Sequence, residues 1–530
     1  MQQRHRRLRV HFIQPCQNIL DPRRALGGIL GTDDPFRRLL VSRQTVVLLL
    51  AAIIAFGGCW WGSFHFDDYS LFSSGLWRPL EIRPLTYITF WLNQWLGGRN
   101  PAGYHAVNLL LHLAAIVLLF ETLKRIISTR AAFIAAAIFA VHPFQAEPVN
   151  YIFARSTVLA TVLCLAALAS WVRGRVWWAT AWFAAALLAK EECVAFPAFL
   201  LLLHFSRSRD AKELKPIGVM FAMSAAAGIR VLLAAQSTPG SGAGAQAEIS
   251  WQSYLLTEGA VILRYLRMLL VPLGFTVDAD IQKPVLWLAV LAWIGVAALA
   301  SIAAFHFSRA RAGFWFLAGL VLLLPSSSIF PATDLAADRR MYLPMIGFAS
   351  CAGLLLAKVR PIYLAVVLTL LTGVSIARTS TWRSEESLWT DAVAKAPAKI
   401  RPRIQLARAV EAERALLVLE QAKGIAPEDP RIPAEEGRIY LSLGRPGQAL
   451  PEFGRALALS PHSVEAMNNR GVALLALNQK EAARADFERA LAIDPCQFDA
   501  RLNLLRLGIS KSPSPECRYS AEQSAALRGN

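Results

Sequence analysis

The sequence predicts an all-α fold: a polytopic membrane helical bundle of about 11 spans followed by a helical-repeat α-solenoid. Three observations carry that prediction. The 530 residues are 55% hydrophobic, with a mean hydropathy of +0.40 and only 17% charged residues. A soluble domain carries roughly 25% charged residues. Apolar runs long enough to cross a bilayer recur up to about residue 380, and beyond it a soluble pattern repeats every 34 residues.

Taken in order, the elements begin with a basic arm, residues 1–43. It lacks the layout of a cleavable signal, so the first span, 44–61, reads as a retained signal anchor. A loop rich in Trp, Pro and charge runs from 62 to 103. Spans follow at 104–121, 131–147, 156–172, 176–189, 193–205 and 216–235, and residues 236–250 read as a Gly-, Ser- and Ala-rich loop. Segment 254–273 is apolar but carries Glu258, Arg264 and Arg267. Charges at mid-membrane are costly, so an interfacial or re-entrant helix is expected there. The remaining spans are 285–306, 313–330, 342–357 and 361–378.

Basic residues set the orientation. The N-terminus, 122–130, 173–175, 206–215, 308–311 and 358–360 are the basic connections, and such connections face the cytoplasm. Loops 62–103, 142–155, 190–192, 236–284 and 326–341 then lie on the other side, together with the C-terminal domain. The expected domains are the cytoplasmic arm 1–43, a membrane domain 44–380, a repeat domain 396–507 and a tail 508–530. The net charge of +18 is explained by the arm and these short loops, so no nucleic-acid partner is expected. The seven cysteines form no CxxC pair or metal spacing. Cys496 and Cys517 share the C-terminal region; a disulfide on an oxidising side and two free thiols both remain open.

Three repeat units fit: 396–429, 430–463 and 464–497. The second carries Gly437, Tyr440, Gly444, Ala449, Phe453, Ala456 and Pro461. The third carries Gly471, Leu474, Asn478, Ala483, Phe487, Ala490 and Pro495 in the same register. The first is degenerate but keeps Ala415, Leu419, Ala422 and Pro427, and 498–507 reads as a closing helix. This is the tetratricopeptide pattern, in which small residues let two antiparallel helices approach and an aromatic fills the gap. Such an array offers a concave surface for a peptide or a partner, or serves as a spacer or dimer contact.

The candidate chemistry lies on the face opposite the basic loops. Asp67 and Asp68 follow the first span, and Arg83, His142, Glu147, Arg155, Glu191, Asp338, Arg339 and Arg340 sit in or beside loops of that same face. Any one of them alone reads as an interfacial anchor; the gathering of both charge signs on one side does not. Transfer of a sugar from a polyprenyl phosphate fits this set. The leaving phosphate needs charge stabilisation, which Arg supplies in fork geometry. The acceptor hydroxyl needs a carboxylate base within hydrogen-bond reach. Asp67 or Asp68 is the candidate base, and Arg339 with Arg155 or Arg83 the candidate phosphate clamp. The sequence has no G-x-x-x-x-G-K-[ST], H-E-x-x-H or G-x-S-x-G motif.

These segments resemble the transmembrane and tetratricopeptide-repeat-containing O-mannosyltransferases, among the C-type glycosyltransferases. The resemblance rests on Asp67-Asp68, Arg83-Pro84-Leu85-Thr86 with Asn93, Pro101 to Asn108 closing at His112, and Phe139 to Pro143 leading to Glu147 and Arg155. It continues through Leu188-Ala189-Lys190-Glu191, Leu324 to Ser327, Asp338-Arg339 and Tyr342-Leu343-Pro344. It implies inverting transfer of mannose, or a similar sugar, from a polyprenyl- or dolichyl-phosphate donor to Ser or Thr hydroxyls of an acceptor protein or peptide, on the non-cytoplasmic side. It also implies catalytic roles for Asp67, Asp68 and Glu147 and a lipid-phosphate contact at Arg339. Arg83 and Arg155 are the further donor-phosphate candidates; His142, Glu191 and Asp338 complete the substrate face. The sequence departs from the family at Ser328, where Asn is common, and at Ser156-Thr157, where an acidic residue is usual.

The sequence assigns no cofactor, and Asp67 and Asp68 could ligate Mg²⁺ or Mn²⁺. Composition and compact size favour a bacterial homologue in the inner membrane, with a cytoplasmic N-terminus and a periplasmic repeat domain. The alternative reading is a non-enzymatic membrane-anchored scaffold whose repeats recruit a periplasmic partner. A transporter fits poorly, because its ionisable residues belong near the midplane.

Overall fold

The computed structural model describes residues 42–73, 83–207, 210–237, 249–307, 311–327, 331–332, 334–509, 517, 519 and 521–528. Most of the basic arm, the centre of the 236–250 loop, Ser328 and much of the tail lie outside the described residues. The described chain is helical almost throughout.

Membrane-type helices come first: α1 (Arg43–Phe56), α2 (Pro84–Gly97), α3 (Pro101–Leu123), α4 (Thr129–Val141), α5 (Ala146–Asn150), α6 (Arg155–Val172), α7 (Val176–Ala189), α8 (Phe196–Arg207) and α9 (Leu214–Ser237). Next are α10 (Trp251–Leu270), α11 (Leu286–Phe305), α12 (Arg311–Leu323), α13 (Met345–Leu355) and α14 (Pro361–Thr381). Among the described residues, six helical stretches are long and apolar enough to cross a membrane, or seven if α4 and α5, bent by 50°, count as one span. That falls short of about 11 for a physical reason. Crossing needs about 20 residues at 1.5 Å each, and Val176–Ala189, Ala312–Ser326 and Met345–Lys358 are apolar but shorter. Hydropathy reads an apolar run without seeing where Pro143 or Pro325 breaks the helix. Segment 254–273 is helical, as α10, and is absent from the membrane-crossing set. It buries Tyr254, Glu258, Val261, Ile262 and Tyr265 on one face.

The C-terminal helices are α15 (Glu385–Lys395), α16 (Arg401–Ala409), α17 (Ala412–Ile425), α18 (Arg431–Ser442), α19 (Pro446–Leu459), α20 (Val464–Ala476), α21 (Lys480–Ile493) and α22 (Phe498–Arg506). The repeat residues have the packing role their register implied. A Cβ on Gly437 would lie 2.7 Å from the Phe453 ring, and one on Gly471 2.5 Å from the Phe487 ring. Each helix pair therefore closes on a glycine beneath an aromatic. The turns between paired helices need the left-handed region, taken by Gly444 (φ +68°) and by Asn478 (φ +60°). Gly and Asn tolerate that region better than other residues.

Cys496 and Cys517 form a disulfide with a Cα–Cα distance of 5.2 Å, while Cys59, Cys164, Cys193 and Cys351 are free. This bond ties the tail to the end of the third repeat. In protein isolated from its native membrane, neither thiol is expected to react with maleimide until a reductant is added. Reaction of both thiols without reductant would place the repeats on a reducing side.

Candidate active site

Two adjacent aspartates take opposite environments. Asp68 is fully buried, and its carboxylate accepts from the His65 N–H at 2.9 Å and the Phe153 N–H at 2.8 Å. Burial pushes its carboxyl up to about 7, partly offset by those two backbone donors. Asp67 is exposed, and one of its oxygens accepts from the Tyr151 hydroxyl at 2.8 Å. Phe66, just before it, has φ +46°, a strained value for an aromatic residue. The loop thus turns one aspartate inward as an anchor and the other outward.

Tyr151 leads to the second acidic candidate. Its N–H donates to the Glu147 carbonyl at 2.8 Å, one helical turn back. Glu147 is 2% exposed, and its carboxylate holds Arg339 at two points: the Nη1 at 2.6 Å and the backbone N–H at 3.1 Å. Arg339 also reaches Asp334 at 3.3 Å and keeps 27% of its side chain exposed. Asp338, beside it, is buried; burial and the Glu147 charge push its carboxyl up to about 7.

Arg83 and Glu191 form a second cluster. They pair through two hydrogen bonds, one of them from Nε at 2.9 Å. Burial acts to raise the Glu191 carboxyl, but Arg83 outweighs it and holds the group down to about 2. Lys190 donates to Thr157 at 2.7 Å and pairs with Glu192 at 2.9 Å. Burial lowers the Lys190 ammonium, Glu192 opposes that, and the charges of Arg83 and Arg339 lower it further.

Asp67 and Arg339 are thus brought onto one polar face, joined through Tyr151 and Glu147, while Arg83 and Glu191 pair in a second cluster. Arg155 and His142 join neither. The Arg155 guanidinium is fully buried and donates to Asn108 at 2.8 Å, Asn93 at 2.6 Å and the Tyr104 carbonyl at 2.9 Å, with the Phe90 ring at 4.4 Å. No donor phosphate can reach it, so it joins α2, α3 and α6 in the interior. His142 is 1% exposed and accepts from the Phe144 N–H at 3.2 Å, at the break between α4 and α5. The aspartate pair does not fit a divalent ion as it stands, because Asp68 is buried with both oxygens taken. Among the described residues no group of three or more His, Cys, Asp or Glu could hold a metal.

Sequence reasoning missed Tyr151 and Asp334. Tyr151 had a signal, its i+4 spacing from Glu147. Asp334 lies five residues before Arg339 but outside every motif quoted above.

The fold and this polar face define a multi-pass, all-helical membrane protein with a tetratricopeptide region near its C-terminus. Residues 435–496 match the tetratricopeptide repeat family model. Over 411 residues, 67% of the chain, it is 25% identical to the Caenorhabditis elegans protein O-mannosyl-transferase F38B6.6, covering 58% of that protein. It is 24% identical over 490 residues to the Drosophila melanogaster protein O-mannosyl-transferase Tmtc3, covering 72% of the chain and 52% of the relative. A shorter stretch of 115 residues is 40% identical to the human protein O-mannosyl-transferase TMTC1, covering 21% of the chain and 13% of the relative. The chain is a distant homologue of the first two over much of its own length, and it spans about half the length of each.

Proposed function

We propose that this protein is a membrane glycosyltransferase that moves mannose or a related sugar from a polyprenyl-phosphate donor to Ser or Thr hydroxyls of an acceptor protein. The observation that carries the reading is one face with an exposed carboxylate, Asp67, linked through Tyr151 and Glu147 to the half-exposed guanidinium of Arg339. Asp67 is the base that takes the acceptor proton. Arg339 stabilises the leaving lipid phosphate, with Arg83 as the second donor-phosphate contact once it is drawn from its pair with Glu191. Glu147 holds Arg339 in place. The transfer is inverting, with hydroxyl attack at the sugar's anomeric carbon as its bond to the phosphate breaks.

The site then faces the non-cytoplasmic side, in a bacterial inner membrane, with the shorter apolar helices α7, α8, α12 and α13 crossing alongside the longer ones to give eleven spans. The positive-inside pattern and the Cys496–Cys517 disulfide support that orientation. The test uses the full chain in nanodiscs with a mannosyl polyprenyl phosphate and a Ser/Thr-rich peptide. Addition of one hexose mass to the peptide is expected. If no sugar moves to any hydroxyl peptide while the folded protein still captures a periplasmic partner, the scaffold reading replaces this one.

A further inference from the structure

The chain places α15 and the start of its repeat domain directly on the loops that carry Asp67 and Arg339. On the acidic side, Phe66 packs edge-on against Trp389 of α15 at 5.1 Å and meets Tyr151 at 5.6 Å and Trp382 at 6.3 Å. His65 Nε2 lies 2.9 Å from the Trp382 carbonyl, and its Nδ1 lies 3.7 Å from Glu385 of α15. Trp382 and Trp389 are each 1% exposed. A strained aromatic backbone persists only where its surroundings over-determine it, and here two of the enclosing rings come from the segment that opens the C-terminal domain.

On the arginine side the contact is ionic. Arg401, first residue of α16, pairs with Asp334 at 2.9 Å and lies 3.9 Å from Asp278. Lys399 pairs with Asp278 at 2.5 Å, and Lys395 donates to the Phe275 carbonyl at 2.8 Å. Asp334 is the same carboxylate that reaches Arg339. Arg401 and Arg339 thus share one acidic partner. With Arg401 in place, Asp334 is partly neutralised through its other oxygen. Without it, the full charge of Asp334 is available to draw Arg339 off a phosphate and to cancel its field.

We propose that α15 and the start of the repeat domain are a working part of the transfer site: Arg401 is a positioning residue that acts through Asp334 on Arg339, and Trp389 is a positioning residue that acts through Phe66 on Asp67. The inference rests on the glycosyltransferase reading and goes beyond it, because it makes the repeats determine turnover as well as acceptor capture. The two contacts act on different halves of the reaction. Arg401 governs the grip on the donor phosphate; Trp389 governs the placement of the base.

The test measures binding of undecaprenyl phosphate, and separately kcat and donor KM, on full-length variants in nanodiscs. Arg401→Ala is expected to weaken undecaprenyl phosphate binding about tenfold, the order of one charge-assisted contact. Adding Asp334→Asn to it should restore binding to within about threefold of wild type, because the competing carboxylate is gone. Arg455→Ala removes the same charge from an exposed site in α19 and should change binding less than about twofold. Trp389→Ala should lower kcat about tenfold with donor KM unchanged. A wild-type protein that transfers sugar alongside an Arg401→Ala variant that binds and turns over normally overturns this inference and leaves the glycosyltransferase reading intact. A double variant as weak as Arg401→Ala alone overturns it as well, since Arg401 would then act by some other route than Asp334. A wild-type chain that neither binds the lipid nor transfers sugar removes both readings.

Discussion

Asp67→Asn is expected to lower sugar transfer by about 10²–10⁴-fold, the usual contribution of a positioned general base, while leaving the melting temperature close to wild type. The side chain is exposed and accepts one hydrogen bond, from Tyr151, which the Asn carbonyl oxygen can also accept. Asp68→Asn should do the opposite. Asp68 takes two backbone N–H groups, and an amide can accept only one while turning an NH₂ toward the other. That leaves a buried donor unsatisfied, at a cost of about 1–3 kcal/mol. The cost also depends on pH in a defined direction. The folded carboxyl sits near 7, above its ordinary 3.8, because burial disfavours the charge. Its contribution to wild-type stability is therefore fully present below about pH 4 and is lost as pH rises through about 7. The Asn variant carries no ionisable group there, so the gap between the two proteins should narrow over that window. Turnover and thermal unfolding measured for both variants separate the roles: activity lost at Asp68 with Asp67 indifferent would reverse the assignment of the base.

The sequence made some of this legible and hid the rest for identifiable reasons. The repeats were readable because their constraints are local and periodic: Gly437 under Phe453 recurs as Gly471 under Phe487. The convergence of Asp67, Glu147 and Arg339 was readable only as membership of one side of the membrane, since orientation follows from basic loops and contact does not. Which aspartate faces outward was hidden, because two adjacent residues differ only in which backbone N–H groups a later segment presents, here Phe153. Arg155 misled for a related reason. An Arg at the mouth of a span reads as an anion site, but Asn93, Asn108 and the Tyr104 carbonyl, which take its donors, come from two other helices. Arg401 gave no signal at all, since its partner Asp334 is distant in sequence and belongs to the membrane domain.

Arg339→Lys is expected to reduce turnover by about 10²–10³-fold, the order of losing one preorganised donor to a developing anion, with the fold intact. Lys keeps the charge that Glu147 requires but presents a point donor in place of a planar fork, so it cannot hold Glu147 and a phosphate oxygen in the same fixed geometry. Arg339→Ala is a poorer experiment, because it strands the Glu147 carboxylate at 2% exposure. Breaking a buried pair from one side costs about 3–5 kcal/mol, and lost activity would then report lost folding. Glu147→Gln resolves the remaining ambiguity between two acidic candidates. Both Glu147 oxygens are engaged by Arg339, one by the guanidinium and one by the backbone N–H, which gives it the geometry of a holder. As a holder, Glu147 should cost about tenfold on amidation, through a looser Arg339 and a raised donor KM. As a base it should cost as much as Asp67→Asn, in kcat. Steady-state kinetics on the three variants Asp67→Asn, Glu147→Gln and Arg339→Lys therefore assign base, holder and clamp by which parameter moves. A Glu147→Gln loss carried wholly in kcat at the Asp67→Asn level would transfer the base to Glu147.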